Sequence, residues 1–287
     1  MPTLTLTEVK ITPLNAPLGA VVTRLDASQA VAPEVILQLK QALQDYHILI
    51  FKNQRLTDEQ FLNFTFYFGS LFVPPQDIPV LASETGVTPV IVPVSNVDGG
   101  YTGTGELTFH SDHHWTPYPS SSSLLYALEV PSQGGDTSWL NLNLAYEALD
   151  EFTKKQIADL QLITYNPFVR DRNAPRSNYR LDQSIPLISP VFPHPLVRTH
   201  PESGKKILYL GQETEVEVVG LDPQEGAELI TQLRQHLNQP QFYYRHKWSV
   251  GDIVYWDNQA TLHHRQAFDS NERRVMKRVS LAGSRPF

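Results

Sequence analysis

No cysteine occurs in the 287 residues. Disulfides, thiolate-bound zinc, iron–sulfur clusters and cysteine nucleophiles are therefore excluded. Long apolar runs are missing too, and none approaches the ~18 residues of a membrane-crossing helix. Positive charge is in deficit, with 23 Lys and Arg against 30 Asp and Glu. That balance argues against a general nucleic-acid or anionic-membrane surface, because phosphate binding needs grouped cations. The start, "MPTLTLTEVKITPL", lacks the basic stretch and apolar block of a secretory leader. The expectation is a cytoplasmic protein with no nucleic-acid and no membrane partner; a homo-oligomer stays open. No Gly/Ser-rich or charged linker divides the chain, and its 22 prolines are scattered. One domain over residues 1–287 is expected, and 41% hydrophobic residues suffice for a substantial core.

What is present reads as many strands with a few helices. Ile36, Leu39, Leu43 and Tyr46 recur at helical spacing in "APEVILQLKQALQDY". "LTDEQFLNFTFYFG" reads as a helix capped by Thr57 and ending at Gly69, and "PQEGAELITQLRQHLN" as a third, Pro223 to Asn238. Strands are expected at "HILIF", "PVIVPVSNV", "SSLLYALEV", "KKILYL", "GDIVYWDN" and "RRVMKRVSLAG". The pattern suggests an α+β protein on a β-sandwich or jelly-roll core with flanking helices. Tyr165 to Pro195, rich in proline and charge without a sustained period, reads as a lid-like insertion.

Histidine is concentrated. His110, His113 and His114 fall within five positions of "GELTFHSDHHWTPYP", out of 10 in the chain. On a strand, His110 and Asp112 would share a face. An imidazole beside a carboxylate is two-thirds of a 2-His-1-carboxylate site, the donor set that suits ferrous iron and leaves open positions. The third donor must come from elsewhere, and "GDIVYWDNQATLHHRQAF" offers His263 and His264 after a hydrophobic strand. Beyond it, Arg274, Met276 and Arg278 share one strand face. Two arginines there are costly to bury without anions and read as an anion-binding pair.

At these residues the chain resembles the Fe(II)/2-oxoglutarate dioxygenases of the taurine dioxygenase (TauD/TfdA) type. Those carry H-x-D, then G-G-D-T, then a distal histidine followed by arginines eleven and fifteen residues on. Here the series is His110-Ser111-Asp112, Gly134-Gly135-Asp136-Thr137, His263, Arg274 and Arg278. Trp256, Asp257, Asn258, Thr261 and His263 match W-D-N-x-x-T-x-H, and "HPLVRTHPESGKKILYL" is similar to the segment between the two halves of the family's site. The likeness runs from "HILIFKNQRLTDEQF" to the end, and order plus spacing make it specific where H-x-D alone is not.

The resemblance implies a double-stranded β-helix with His110, Asp112 and His263 as catalytic iron ligands. It implies Thr137 and Arg274 on the distal carboxylate of 2-oxoglutarate, and Arg278 on an anionic substrate group or the cosubstrate. Dioxygen would be the oxidant, with hydroxylation or a related C–H oxidation of a small-molecule substrate as the outcome. Glu106 and His113 are further substrate-binding candidates: Glu106 stands where sulfonate-using members have a neutral amide, and His113 follows the ligand pair. Two rivals use the same residues. A zinc hydrolase would need only the three ligands and a water, leaving Thr137 and both arginines without a role. A non-catalytic jelly-roll binding protein would not need the triad or Arg274 intact.

Overall fold

A computed structural model describes residues 9–76, 78–80, 88–169, 178–184, 189–212 and 214–287. Near the N-terminus, strands β1 (Lys10–Pro13) and β2 (Ala20–Thr23) precede helix α1 (Pro33–Tyr46) and strand β3 (Ile48–Phe51). The first helix has proline in its first turn, where a missing N–H leaves no bond unmade, and ends on His47 in the left-handed conformation. Helix α2 (Asp58–Phe66) starts on a complete capping box, Thr57 with Gln60. It stops at Phe66, short of the expected Gly69. The expected strand at "PVIVPVSNV" is only β4 (Val92–Pro93), placed at a sheet edge. Pro89 and Pro93 cannot donate to a ladder, which confines such a segment to an edge.

The middle of the chain supplies β5 (Leu107–His110), β6 (Ser122–Glu129), β7 (Thr137–Asn141), α3 (Leu142–Glu147), α4 (Glu151–Ile157) and β8 (Gln161–Thr164). After the proline-rich segment come β9 (Pro193–Pro195), β10 (Val197–Thr199), β11 (Lys206–Leu208) and β12 (Val216–Val218). The chain closes with α5 (Pro223–Leu237), β13 (Tyr243–His246), β14 (Ile253–Asp257), β15 (Thr261–Arg265) and β16 (Val275–Leu281).

Two sheets organise these strands. The larger runs β1-β2-β3-β14-β6-β16-β4, the smaller β13-β7-β15-β5. Strand alternation decides what each residue meets. In β3, Ile48 and Ile50 face a cluster with Trp139 and Trp256, while Leu49 and Phe51 join the helix-covered layer with Phe61 and Phe64. In β16, Met276 turns to the inter-sheet cluster, and Val279 and Leu281 turn to the helices. A third layer packs Leu140 and Leu262 of the smaller sheet against α3, α5 and β8 to β12. Both sheets therefore expose an inner face to the same space, and the ligand-bearing strands belong to the smaller one.

The expected insertion, Tyr165 to Pro195, is partly tied down. Tyr165 donates to Glu217 at 2.7 Å and Arg180 donates to the Tyr165 hydroxyl at 3.0 Å. Asn166 donates to the Pro79 carbonyl, and Phe168 meets the Trp115 ring edge-on. Residues 170–177 and 185–188 of this segment lie outside the described residues. Among the described residues, no helix is long and apolar enough to cross a membrane.

Candidate active site

His110 ends β5 and His263 lies in β15, and the two are direct cross-strand partners. Their rings stand 4.1 Å apart, centroid to centroid. Asp112 is not on the strand, contrary to the alternation expected for H-x-D: β5 stops at His110 and Asp112 opens a turn. The turn is held by Asn258. Its Oδ1 accepts from the Asp112 N–H, and its Nδ2 donates to the Asp112 and Ser120 carbonyls, each at 2.9 Å. Asn258 follows β14, so the W-D-N segment of one sheet fixes the carboxylate presented by the other.

One nitrogen or oxygen each from His110, Asp112 and His263 fall within 4.8 Å of one another. Nε2 of both histidines lies 3.9 Å from Asp112 Oδ1. Two metal bonds of ~2.1 Å reach across such a gap, so the donor set fits a single ion. His110 Nδ1 sits 2.6 Å from the Thr108 carbonyl, which makes Nδ1 the protonated nitrogen and leaves Nε2 as the donor atom. Burial, reinforced by His110, drives the His263 pKa well below its usual value and keeps the ring neutral, as a ligand must be. Burial alone would protonate Asp112; Arg278, helped by His263, His113 and His110, outweighs it and holds the carboxyl well below the usual range.

The structure places Arg278 on Asp112. Its Nη1 donates to Oδ1 at 2.9 Å and to Oδ2 at 2.8 Å, and its buried Nε has no hydrogen-bond partner among the described residues. Arg274, just before β16, is 2% exposed. Its Nε donates to the Gly135 carbonyl at 3.1 Å and its Nη2 stands 3.5 Å from Thr137 Oγ1. Nη1 is buried with no hydrogen-bond partner among the described residues. Burial, with repulsion from Arg265, lowers its pKa to about 9, so it stays charged at neutral pH. Asp136 attracts this cation from a distance, but among the described residues no carboxylate is in ion-pair contact with it, which is the environment an incoming carboxylate would complete.

The other candidates divide. His113 lies beside Asp112 in a left-handed backbone conformation (φ 62°), stacked on Phe72 at 3.9 Å, with Nδ1 3.0 Å from the Ser120 hydroxyl. Burial pushes its pKa down to about 4. His114 packs on Tyr209 and belongs to the core. Glu106, just before β5, is brought to His264 in a close Nε2–Oε1 contact, not to the triad. Of the doubled histidine, His263 turns to Asp112 and His264 to Glu106. The neighbouring cations Arg273 and Lys277 turn away from the site and pair with Glu129 and Asp58.

Sequence reasoning passed over three residues. The amide of Asn258 was visible only as part of a motif. Trp248 donates its indole N–H to Thr137 Oγ1 at 2.9 Å. Arg265 is buried opposite Thr137 in the ladder and donates to the Gly103 and Gly105 carbonyls, fixing the loop that enters β5. Its position two residues after His263, on the same strand face, was the available signal.

Residues 10–280 match the model of the "Taurine catabolism dioxygenase TauD, TfdA family". The chain is 32% identical over 285 residues to an (S)-phenoxypropionate/alpha-ketoglutarate-dioxygenase of Sphingobium herbicidovorans, covering 95% of this chain and 94% of the relative. Among solved structures it resembles a taurine dioxygenase from Burkholderia xenovorans, with TM-score 0.76, 28% identity and coverage of 97% and 92%. It also resembles AAD-2 in complex with Mn(II) and N-oxalylglycine, with TM-score 0.77, 29% identity and coverage of 97% and 99%. The chain belongs to the taurine catabolism dioxygenase TauD, TfdA family, and is a dioxygenase.

Proposed function

We propose that this dioxygenase binds Fe(II) through His110, Asp112 and His263, binds 2-oxoglutarate against Arg274 and Thr137, and uses dioxygen to oxidise a C–H bond of a small anionic molecule. The two facing sheets are read as the double-stranded β-helix of one domain spanning the chain. The observation that carries the reading is Arg274: a buried arginine beside a hydroxyl, with a nitrogen that has no partner among the described residues, on the same inner space as three convergent metal donors. A zinc hydrolase leaves that cation without a purpose, and a binding protein has no need of the triad.

Iron and 2-oxoglutarate, when bound, supply the oxidising power, with succinate and CO₂ as coproducts. The protein's part is orientation and charge. Asn258 fixes the backbone of Asp112, and Arg278 keeps its carboxylate ionised. Thr108 selects the tautomer of His110. The planar fork of Arg274 suits the distal carboxylate of the cosubstrate, and Thr137 adds a second donor. Arg278 keeps a buried Nε for a substrate anion, and His113, rigid on Phe72, walls the same side. Glu106, occupied by His264, is assigned to holding the sheet edge. The named relatives act on phenoxypropionate and, in a Burkholderia species at 30% identity, on 2,4-dichlorophenoxyacetate. Carboxylates of this size are the first substrates to try.

The test is spectroscopic. Anaerobic Fe(II) with 2-oxoglutarate should give the weak visible charge-transfer band of a chelated 2-oxo acid. His110→Ala, Asp112→Ala and His263→Ala should abolish it, and His264→Ala should keep it. Succinate release across a panel of aryloxy carboxylates and sulfate esters then ranks substrates. Survival of the band in His263→Ala would overturn the ligand assignment.

A further inference from the structure

Thr137 Oγ1 is surrounded by donors. The Trp248 indole N–H reaches it at 2.9 Å and Arg274 Nη2 stands 3.5 Å away. Neither group can accept a hydrogen bond: indole nitrogen and guanidinium are donors only. A threonine hydroxyl has two lone pairs and one proton. With both lone pairs facing donors, the proton is left the remaining direction and needs an acceptor. Arg274 Nη1, on the same guanidinium, is a second buried donor without a partner among the described residues. Two such donors side by side await an oxyanion.

Trp248 is held where it does this. Thr137 and His246 are cross-strand partners at the β7–β13 edge, and the Trp248 ring stands edge-on to the His246 ring at 4.8 Å and 88°. His246 Nε2 lies 2.9 Å from Asp252 Oδ2, which also receives the Lys52 ammonium at 2.6 Å and the Ser249 N–H at 3.1 Å. Trp248 is 6% exposed and Asp252 is fully buried. A chain of fixed contacts therefore runs from Lys52 through Asp252 and His246 to the indole.

We propose that Trp248 is a positioning residue for the cosubstrate: by donating to Thr137 it turns the Thr137 hydroxyl proton toward the distal carboxylate that Arg274 receives. The inference rests on the assignment of Arg274 to 2-oxoglutarate. It deepens that reading by naming the device that makes the neutral hydroxyl an obligate donor. Trp248 thereby contributes to selection of a dicarboxylic over a monocarboxylic 2-oxo acid.

The experiment is a double-mutant cycle read by calorimetric binding of 2-oxoglutarate to the anaerobic Fe(II) protein. Trp248→Phe keeps the ring and removes the N–H; Thr137→Val keeps the shape and removes the hydroxyl. Trp248→Phe should weaken 2-oxoglutarate binding about 3- to 10-fold, the range for one neutral hydrogen bond. In the Thr137→Val background the same change should alter it less than about twofold, because a residue acting through a hydroxyl has no effect once it is gone. Binding of 2-oxopentanoate, which lacks the distal carboxylate, should be equal with and without the indole N–H. Equal losses in both backgrounds would overturn the inference, since a merely structural tryptophan weakens binding whatever stands at residue 137. Failure of the wild type to bind 2-oxoglutarate would overturn the cosubstrate reading with it, whereas binding with a flat cycle overturns only the role of Trp248. Should Trp248→Phe not fold, ¹⁵N-indole labelling of the Zn(II) protein gives the answer without that variant. Of 4 tryptophans, the one whose N–H signal moves in Thr137→Val must also move on adding 2-oxoglutarate and stay put with 2-oxopentanoate. A signal indifferent to 2-oxoglutarate would refute the proposal.

Discussion

Arg274 is buried beside a hydroxyl and a carbonyl, with repulsion from Arg265 added to its desolvation. Lysine at this position would keep the charge and lose the fork that matches a carboxylate. Arg274→Lys should therefore lower 2-oxoglutarate affinity by ~1.5–3 kcal/mol, the range for hydrogen bonds to charged groups. Thr137→Val should cost less. Calorimetric titration of the anaerobic Fe(II) protein measures both, and an unchanged affinity in Arg274→Lys would remove its role. Asn258 offers a second test at this scale. It touches no ligand atom of the triad, yet its amide holds the Asp112 backbone at both N–H and C=O. Asn258→Ala frees the turn, and metal affinity should fall ~10–100-fold, the usual effect of losing a group that orients a ligand. Equilibrium dialysis against Mn(II) reads this directly; a wild-type affinity would mean the turn holds without the amide.

Elements decide which of these residues meet. The doubled glycine before β7 is one junction where the backbone permits little else. Gly135 has φ 67°, and a Cβ there would stand 2.8 Å from Pro131 Cγ and 3.2 Å from Arg274 Cδ. Gly135→Ala forces a left-handed alanine, costing ~1–2 kcal/mol, and pushes on the cosubstrate arginine. The expected outcome is a lower melting temperature together with weaker 2-oxoglutarate binding; a fall in melting temperature alone would show that Arg274 is not displaced. Much at this scale was legible beforehand. The long helices, the apolar strands β3, β6 and β14, and the Thr57 cap followed from period and cap chemistry, and Met276 shares the inner face of β16 with Arg278 as alternation requires. Motif order singled out His110, Asp112 and His263 as candidate ligands, and the fold brings their donor atoms within 4.8 Å of one another. What failed did so for physical reasons. Asp112 meets His110 by way of a turn tied to residue 258, a long-range contact that no local spacing encodes. The contact of Arg278 with Asp112 is likewise long-range and escapes local spacing, while the anion role proposed for Arg278 rests on its other, unpartnered nitrogen, Nε. β5, β7 and β15 are short and rich in polar residues, so their apolar pattern is too weak to announce the sheet that carries the site.

Across the whole molecule, polar groups buried between the layers tie stability to pH. His194, in β9, lies 2.8 Å from the Thr116 carbonyl through Nε2 and is 1% exposed. Burial lowers its pKa to about 4, with Arg198 and Arg285 adding repulsion. In the unfolded chain the same ring titrates near ~6.5. Above that value both states are neutral and His194 adds no pH dependence. As the pH falls from 6.5 toward 4 the unfolded chain takes up a proton that the folded protein refuses. Stability then declines by up to ~1.4 kcal/mol per pH unit, and on the order of 3 kcal/mol over the window, from this one ring. Asp257 acts lower on the scale. Burial opposes its ionisation, but His200 and His47 outweigh it and hold its pKa below the normal carboxylate value. Its contribution is therefore complete above ~3.9 and is lost only as the pH falls further. Asp257 is silent between pH 7.5 and pH 5, but the buried His113, His114 and His263 lower stability there as well, so urea unfolding of the metal-free protein at those two pH values isolates His194 only by comparison with a variant. His194→Gln keeps an N–H for Thr116 and cannot take up a proton; its loss of stability between those pH values should be smaller than that of the wild type by a kcal/mol or more. Identical losses would mean that His194 protonates as readily in the folded protein as in the unfolded chain, and that the layer between β9 and the Trp115 turn admits water.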